Sequence, residues 1–178
     1  MSDRSPMEVE VFGMSSRAAR VAVLEVLSGE CLTSEWDGDP VEELDADELG
    51  EHVLGYDTQA PLGTPEALAA ALEAIPGITF RIHQDARYES DGQTIMYAPE
   101  LGRYESAGSN TDGEPFVFTD DIDKVLASVR GLVAVDSRDP ELLSALRGVV
   151  EALDHLSGRA HRERIEALRA ARNAPANG

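Results

Sequence analysis

The spacing of apolar residues changes once between residues 64 and 106, and this change restricts the fold more than any other feature. Thr64-Pro65 has the residue types of a helix start, and Pro76-Gly77 those of a helix end. Between them the apolar side chains recur at helical spacing: Leu68, Ala71, Leu72 and Ile75. The segment therefore predicts an amphipathic helix with one buried face.

After this helix the pattern becomes that of short strands. Residues 78–83 and 93–98 alternate and are rich in β-branched and aromatic types, with a Ser-Asp-Gly turn at 90–92 between them. Residues 102–106 and 116–118 predict two further strands. The sequence therefore predicts an α+β fold, an antiparallel sheet meander with helices packed on one face and a C-terminal helix or helical hairpin.

The other predicted elements follow from caps and periodicity. The pattern indicates a strand at 7–12, a helix from Ser15 or Ser16 to Leu27, two short helical pieces between 40 and 54, a helix from Thr119 and a helix after Asp139-Pro140. The valines of the segment that ends at Leu27 also permit a strand there. A chain of 178 residues fits one domain. We expect a single acidic domain at 1–156, and an Arg-rich helix with a disordered end at 157–178.

Cysteine content and hydropathy indicate the compartment. Cys31 is the only cysteine, so an intrachain disulfide cannot form. Residues 1–14 lack the basic and apolar regions of a secretory signal, and no apolar run reaches the 18 or so residues of a membrane span. We expect a cytoplasmic protein without a membrane partner.

Acidic residues dominate one third of the chain. Residues 21–80 carry fourteen Asp or Glu and no Lys or Arg, in a chain whose formal net charge is −19. Such a charge repels phosphate backbones and attracts basic proteins, so we expect no direct binding to nucleic acid. A compositional bias of the genome, or adaptation to salt, would also produce acidic proteins.

A sharper hypothesis concerns residues 40–51. As a helix they would span about 18 Å and present one carboxylate per roughly 3 Å, close to the spacing of about 3.4 Å between phosphates of a DNA strand. The surface could then occupy the groove of a basic, nucleic-acid-binding protein, with Trp36 as an anchor. The alternatives are a solvated acidic face and a core tryptophan. The candidate partner-binding residues are Glu35, Trp36, Asp37, Asp39, Glu42, Glu43, Asp45, Asp47, Glu48 and Glu51.

The helix after residue 140 carries apolar residues at alternating spacings of four and three, as in a coiled-coil seam. This seam would pack against the domain's own sheet or form a homodimer, and its residues are Leu142, Leu146, Val149, Leu153 and Leu156. The Arg-rich segment that follows, 159–172, could be a solvated helix, dock on the acidic stretch of its own chain, or contact an acidic surface elsewhere.

A search for catalytic or cofactor chemistry finds no strong pattern. The four histidines have no cysteine or histidine neighbours at zinc spacing, and no phosphate-binding loop or nucleophile elbow is present. We therefore predict no catalytic residue, metal or cofactor. His83 with Asp85 or Glu89 could form a site, although a lone histidine at a strand end is more often structural. A small-molecule enzyme is the third hypothesis, after an interaction domain and an assembly protein.

A group of turn and strand segments comprises residues 84–89, Gly92, residues 99–104 and residues 112–115. These segments resemble small acidic proteins encoded by actinobacterial phages and plasmids. The resemblance implies a mobile-element protein that meets host or rival machinery. It is compatible with an inhibitor of a nucleic-acid enzyme and with a toxin-neutralising immunity protein.

Overall fold

The computed structural model describes residues 4–36, 38–87, 92–106, 108, 124–125, 129 and 140–174. Their regular elements, in chain order, are β1 (Arg4–Phe12), α1 (Arg17–Gly29), a short 3-10 helix (Val41–Glu43), β2 (His52–Pro61), α2 (Thr64–Glu73), β3 (Thr79–Gln84), β4 (Gln93–Ala98), β5 (Gly102–Glu105), α3 (Pro140–Ser157) and α4 (Arg159–Asn173). The α+β prediction is confirmed. Within the described chain, no helix is both long and apolar enough to cross a membrane.

The five strands form one antiparallel sheet in the order β2-β1-β3-β4-β5. β1 lies between β2 and β3, with Val9 opposite Gly55 on one side and Ile82 on the other. Since β2 and β3 are both antiparallel to β1, they run parallel to each other. The connection through α2 therefore passes over β1.

One face of the sheet packs on α1 and α2 and forms the main core. Alternate strand residues point into it, because side chains of a strand alternate between the two faces. The fully buried members include Met7, Val9, Val11, Phe80, Ile82 and Ile95 from the strands, and Val23, Leu27, Leu68 and Leu72 from the helices. This is the face that the apolar periodicity of the sequence predicts.

The opposite face carries a smaller cluster under α4. Phe12, Met96 and Tyr104 from three strands pack with Ile165 of α4, and Leu168 packs against their edge. His161 of α4 donates to the carbonyl of Gly102 over 3.0 Å. The Arg-rich segment is thus a docked helix that covers part of the sheet, and the interpretation as a solvated helix is wrong.

The predicted strands at 7–12, 78–83, 93–98 and 102–106 are confirmed, as are the helices at 16–27, 64–75 and after residue 140. The side chain of Ser16 caps α1 by accepting a hydrogen bond from the amide of Ala19. The strand predicted at 116–118 and the tip of the 90–92 turn lie outside the described residues. The helix predicted from Thr119 does so too, apart from three residues that are helical: Lys124, Val125 and Val129.

The prediction for residues 40–51 is wrong. Only the 3-10 helix forms there, followed by a turn at 46–48, and residues 52–61 form a strand that the sequence analysis did not predict. The apolar residues explain the difference: Val41 and Ala46 are buried in the core, and their spacing does not fit a helical stripe. Arg20 stabilises the irregular backbone of this segment by donating from Nε to the carbonyl of Ala46 over 2.7 Å.

Candidate interaction surface

Residues 32–41 form a closed loop that is attached to the edge strand β2. Thr33 and Tyr56 exchange both backbone hydrogen bonds, each 2.8 Å long. At the base of the loop the amide of Val41 donates to the carbonyl of Leu32, also over 2.8 Å. These hydrogen bonds fix the loop on the sheet, so the residues at its tip are held by a rigid support.

The tip of this loop is tight. The amide of Gly38 donates to the carbonyl of Glu35 over 3.1 Å. A Cβ at position 38 would lie 2.8 Å from the Cβ of Glu35 and 2.9 Å from its backbone nitrogen. Only glycine allows this approach without a shift of the backbone, and the turn that it closes contains the exposed Trp36.

Trp36 lies in solvent next to Tyr56. The tryptophan is 52% exposed, so the alternative of a core tryptophan is not what the structure shows. Its ring centroid is 6.1 Å from that of Tyr56, with an angle of 67° between the ring planes. Partial burial and the carboxylates of Glu8, Glu10 and Glu35 raise the pKa of Tyr56. The exposed Trp36 and the partly buried Tyr56 therefore form an aromatic pair in a negative field.

The predicted acidic residues lie on the outer side of the chain. Eight of them are exposed in the described structure: Glu35, Asp39, Glu42, Glu43, Asp45, Asp47, Glu48 and Glu51. Asp37 lies outside the described residues. Among the eight, Asp47 alone has an ion pair with a described residue, a 2.7 Å contact to Arg17 in which both side chains are well exposed. We call these eight residues together with Trp36 the acidic surface.

Local structure explains why these carboxylates face outward. Val41 and Ala46 enter the core, so the acidic residues between and after them point to solvent. The side chain of Asp45 accepts from the amide of Asp47 over 2.8 Å and closes a turn. The carboxylates thus project to solvent from irregular backbone. They do not form the evenly spaced helical row that the comparison with DNA requires.

A polar cluster at the end of β3 and the start of β4 lies on the face of the sheet that carries α4. His83 donates from Nε2 to Asp85 over 3.0 Å, and its Nδ1 is 3.0 Å from the hydroxyl of Thr94. Burial and the nearby charge of Arg81 lower the pKa of His83. The hydroxyl, imidazole and carboxylate are in the order used by nucleophilic enzymes. Thr94 is fully buried, however, so the cluster joins β3 to β4 and presents no accessible nucleophile.

The seam residues predicted on the helix after 140 lie on α3, where they are not buried together. Leu146 and Leu153 are exposed, and Val149 and Leu156 are partly buried. The side chain of Leu142 lies outside the described part of the structure. Packing against the domain's own sheet therefore does not bury Leu146 or Leu153.

Sequence reasoning missed Tyr56 and the place where α4 docks, because the intramolecular docking that it considered was on the acidic stretch, whereas α4 packs on β1, β4 and β5. Tyr56 lies in the unpredicted strand β2, where Leu54 and Tyr56 alternate with Val53 and Gly55. That alternation was a usable signal, although glycine at position 55 weakens it. The contacts of α4 could not be predicted, because its charged residues pair with partners far away in the chain.

The comparisons with known proteins identify a family without assigning a function. No curated protein and no solved structure matches the chain. A protein-family model with the description "Protein of unknown function (DUF3145)" matches residues 19–177. The match includes the acidic surface, the sheet from β2 onward and both C-terminal helices, and the chain belongs to this family.

Proposed function

We propose that the protein is a non-enzymatic interaction domain that binds a basic protein through the acidic surface. The observation that carries this proposal is Trp36, which is half exposed at the tip of a fixed loop among carboxylates. Exposed tryptophan is uncommon on a surface that only contacts water, and tryptophan is enriched among the residues that dominate binding energy. A rigid support lowers the entropy lost when such a residue is buried by a partner.

The charge of the surface defines the partner. Residues 21–80 contribute a formal charge of −14, with no Lys or Arg among them. A field of this sign attracts basic proteins, repels nucleic acid and increases the rate of association with a positively charged surface. Nucleic-acid-binding proteins present large surfaces of this kind, and we therefore propose a partner from this class. The support comes from the sign and density of charge, since the carboxylates lack a regular spacing.

Capture from an extract of the native host tests the proposal. The immobilised protein is compared with the variant Glu42→Gln, Glu43→Gln and Glu48→Gln. We expect a basic nucleic-acid-binding protein to be retained at low salt, to be released as salt screens the charges, and to be lost from the triple variant. The matched control neutralises three carboxylates of the C-terminal helices: Glu151→Gln, Glu163→Gln and Glu166→Gln. Equal retention by both triple variants would contradict the proposal.

A second candidate function, assembly of several copies, has one observation in its favour. Leu146, Val150 and Leu153 recur at helical spacing along α3 and are all exposed, Val150 to 57%. If this stripe joins two copies, light scattering will show a dimer that Leu146→Glu dissociates. Ser144→Glu, at an exposed position on another side of the helix, should leave the dimer intact. A monomer at high micromolar concentration would exclude this function.

A further inference from the structure

The aromatic pair of the acidic surface has the geometry of a site for a cation. The rings of Trp36 and Tyr56 meet at 67° with centroids 6.1 Å apart, so they form two walls of an open corner. The faces of aromatic rings carry negative electrostatic potential. A cation that lies over the exposed face of Trp36 is therefore attracted by the ring, most strongly by tryptophan among the aromatic residues.

The charges around this corner favour the same kind of ligand. Glu35 precedes Trp36 and is exposed, and within the described residues it has no ion pair. Glu8 lies directly opposite Tyr56 across the β1–β2 pairing. Glu35 is near enough to Tyr56 to help raise the pKa of its hydroxyl. A ligand at the aromatic pair would therefore lie in the field of this carboxylate, which favours positive charge.

The molecule already binds guanidinium groups on the neighbouring part of this strand pair. Arg169 holds Glu10, which is two residues from Glu8 on β1, with its Nε 2.9 Å from Oε2. Arg172 contacts the ring of His52, four residues before Tyr56 on β2, with its NH1 3.0 Å from Nδ1. Carboxylates and rings of β1 and β2 thus receive arginines from α4, whereas Trp36, on the loop whose Thr33 pairs with Tyr56 of β2, remains exposed.

We infer that Trp36, Tyr56 and Glu35 form a subsite for an arginine side chain of the basic partner. The inference rests on the proposed function, because it assumes that the partner is basic. A planar guanidinium stacks on an aromatic ring while its N–H groups donate to a carboxylate, and a lysine ammonium cannot do both in the same way. The subsite therefore distinguishes arginine from lysine, which a purely electrostatic surface does not.

Trp36 is the only tryptophan of the chain, so its fluorescence reports on the subsite directly. The protein is titrated with a hexa-arginine peptide, a hexalysine peptide and a hexacitrulline peptide. We expect a saturable change of the tryptophan emission with hexa-arginine, weaker binding of hexalysine and no binding of the uncharged citrulline peptide. Equal affinities for arginine and lysine would overturn the inference.

Calorimetry with hexa-arginine then compares variants. We expect Trp36→Leu to weaken binding about two- to fivefold, Trp36→Phe to weaken it less, and Leu101→Ala to leave it unchanged. Leu101 is an exposed apolar residue outside the acidic surface. Circular dichroism verifies that each variant is folded.

The two proposals fail in different ways. If the triple variant at positions 42, 43 and 48 loses affinity while Trp36→Leu and Glu35→Gln do not, the subsite is refuted and the acidic surface remains. If none of these variants changes the affinity for hexa-arginine, the subsite is refuted and the acidic surface loses its support as well.

Discussion

Arg169 of α4 holds the carboxylate of Glu10 on β1, with its Nε 2.9 Å from Oε2, although the two residues are 159 positions apart in the chain. The side chain of Glu10 is only 4% exposed. His52 donates to its other oxygen over 3.2 Å. Burial alone would raise the pKa of Glu10, but the hydrogen bonds and charges of His52 and Arg169 lower it below its ordinary value. The C-terminal helix is thus tied to the sheet through one buried charge.

Removing Arg169 should destabilise the protein. In Arg169→Ala the buried carboxylate of Glu10 loses its cationic partner, and we expect the free energy of unfolding to fall by roughly 1–3 kcal/mol. The control is Arg164→Ala on the same helix. Arg164 pairs with Glu100 in an ion pair whose side chains are about half exposed, which contributes roughly 0–1 kcal/mol. Urea denaturation followed by circular dichroism measures both losses.

The pair of Glu10 and Arg169 also makes the free energy of unfolding depend on pH in acid. Because the pKa of Glu10 is lower in the folded state, its contribution is present above its ordinary pKa of 4.5 and is lost as pH falls through the folded pKa. The difference between wild type and Arg169→Ala should therefore shrink in acid. A difference that is independent of pH, or an equal loss in Arg164→Ala, would show that Glu10 does not depend on Arg169.

The buried His83 predicts a loss of stability as pH falls below neutral. It contacts Asp85 and Thr94, and burial together with the charge of Arg81 lowers its pKa, which Asp85 only partly opposes. The unfolded chain therefore takes up a proton first, and stability is lost as pH falls through 6.5 toward the folded pKa. Most carboxylates stay ionised above about pH 5.5. A change of stability between pH 7.5 and 5.5 therefore reports on histidines.

The matched variant is His83→Gln, whose amide keeps hydrogen-bonding capacity without titrating in this range. We expect wild type to lose stability between pH 7.5 and 5.5, and His83→Gln to lose less. His155→Gln, a change at an exposed histidine of α3, should follow wild type. Urea unfolding at three pH values makes the comparison. Parallel pH profiles for all three proteins would contradict the role assigned to His83.

The sequence predicts the fold where local signals agree with packing. The helix at 64–75 and the strands at 78–83 and 93–98 are confirmed, because their apolar periodicity coincides with the face that is buried. At residues 40–51 the local signals disagree with the packing. Asp39-Pro40 is a sound helix start, but burial of Val41 and Ala46 in the core outweighs the helical preference.

The acidic surface could be predicted only in part from the sequence. The acidic residues are exposed, as their charge implies, and all but Asp37 fall on the described loops and turns or in the 3-10 helix. Their arrangement depends on hydrogen bonds between Thr33 and Tyr56, which lie on separate segments of the chain. Pairing between distant segments leaves no periodic signal, so neither the aromatic pair nor the docking site of α4 could be derived from the sequence.

Gly158, between α3 and α4, fixes the angle at which α4 meets the sheet. It has a φ of +60°, and a Cβ there would lie 2.6 Å from Cε1 of Tyr104. The ring cannot easily move, since its hydroxyl donates to the carbonyl of Leu156 over 3.0 Å. We expect Gly158→Ala to cost about 1–2 kcal/mol for the left-handed backbone and roughly 1–3 kcal/mol more for the steric conflict.

The variant Gly77→Ala separates the cost of the left-handed backbone from the cost of the steric conflict. Gly77 has a φ of +81°, but a Cβ there meets nothing within 4 Å, so it should show the backbone cost alone. Thermal or urea unfolding of both variants gives the difference. In a Tyr104→Ala background the extra cost at Gly158 should disappear. An extra cost that persists without the Tyr104 ring would refute the steric explanation.

Gly38 connects the shape of the loop to the proposed binding of a cation. Because a Cβ at position 38 would lie 2.8 Å from the Cβ of Glu35, Gly38→Ala must shift the turn. We expect this shift to change the position of Trp36 relative to Tyr56. We expect a destabilisation of roughly 1–3 kcal/mol, a changed aromatic signal in near-ultraviolet circular dichroism, and weaker binding of hexa-arginine. Gly50→Ala is the control, because it lies in the same acidic segment and its Cβ would meet nothing within 4 Å.

If Gly38→Ala alters the aromatic signal while the affinity for hexa-arginine is unchanged, the position of Trp36 does not matter for binding. The carboxylates alone would then account for the attraction of basic ligands.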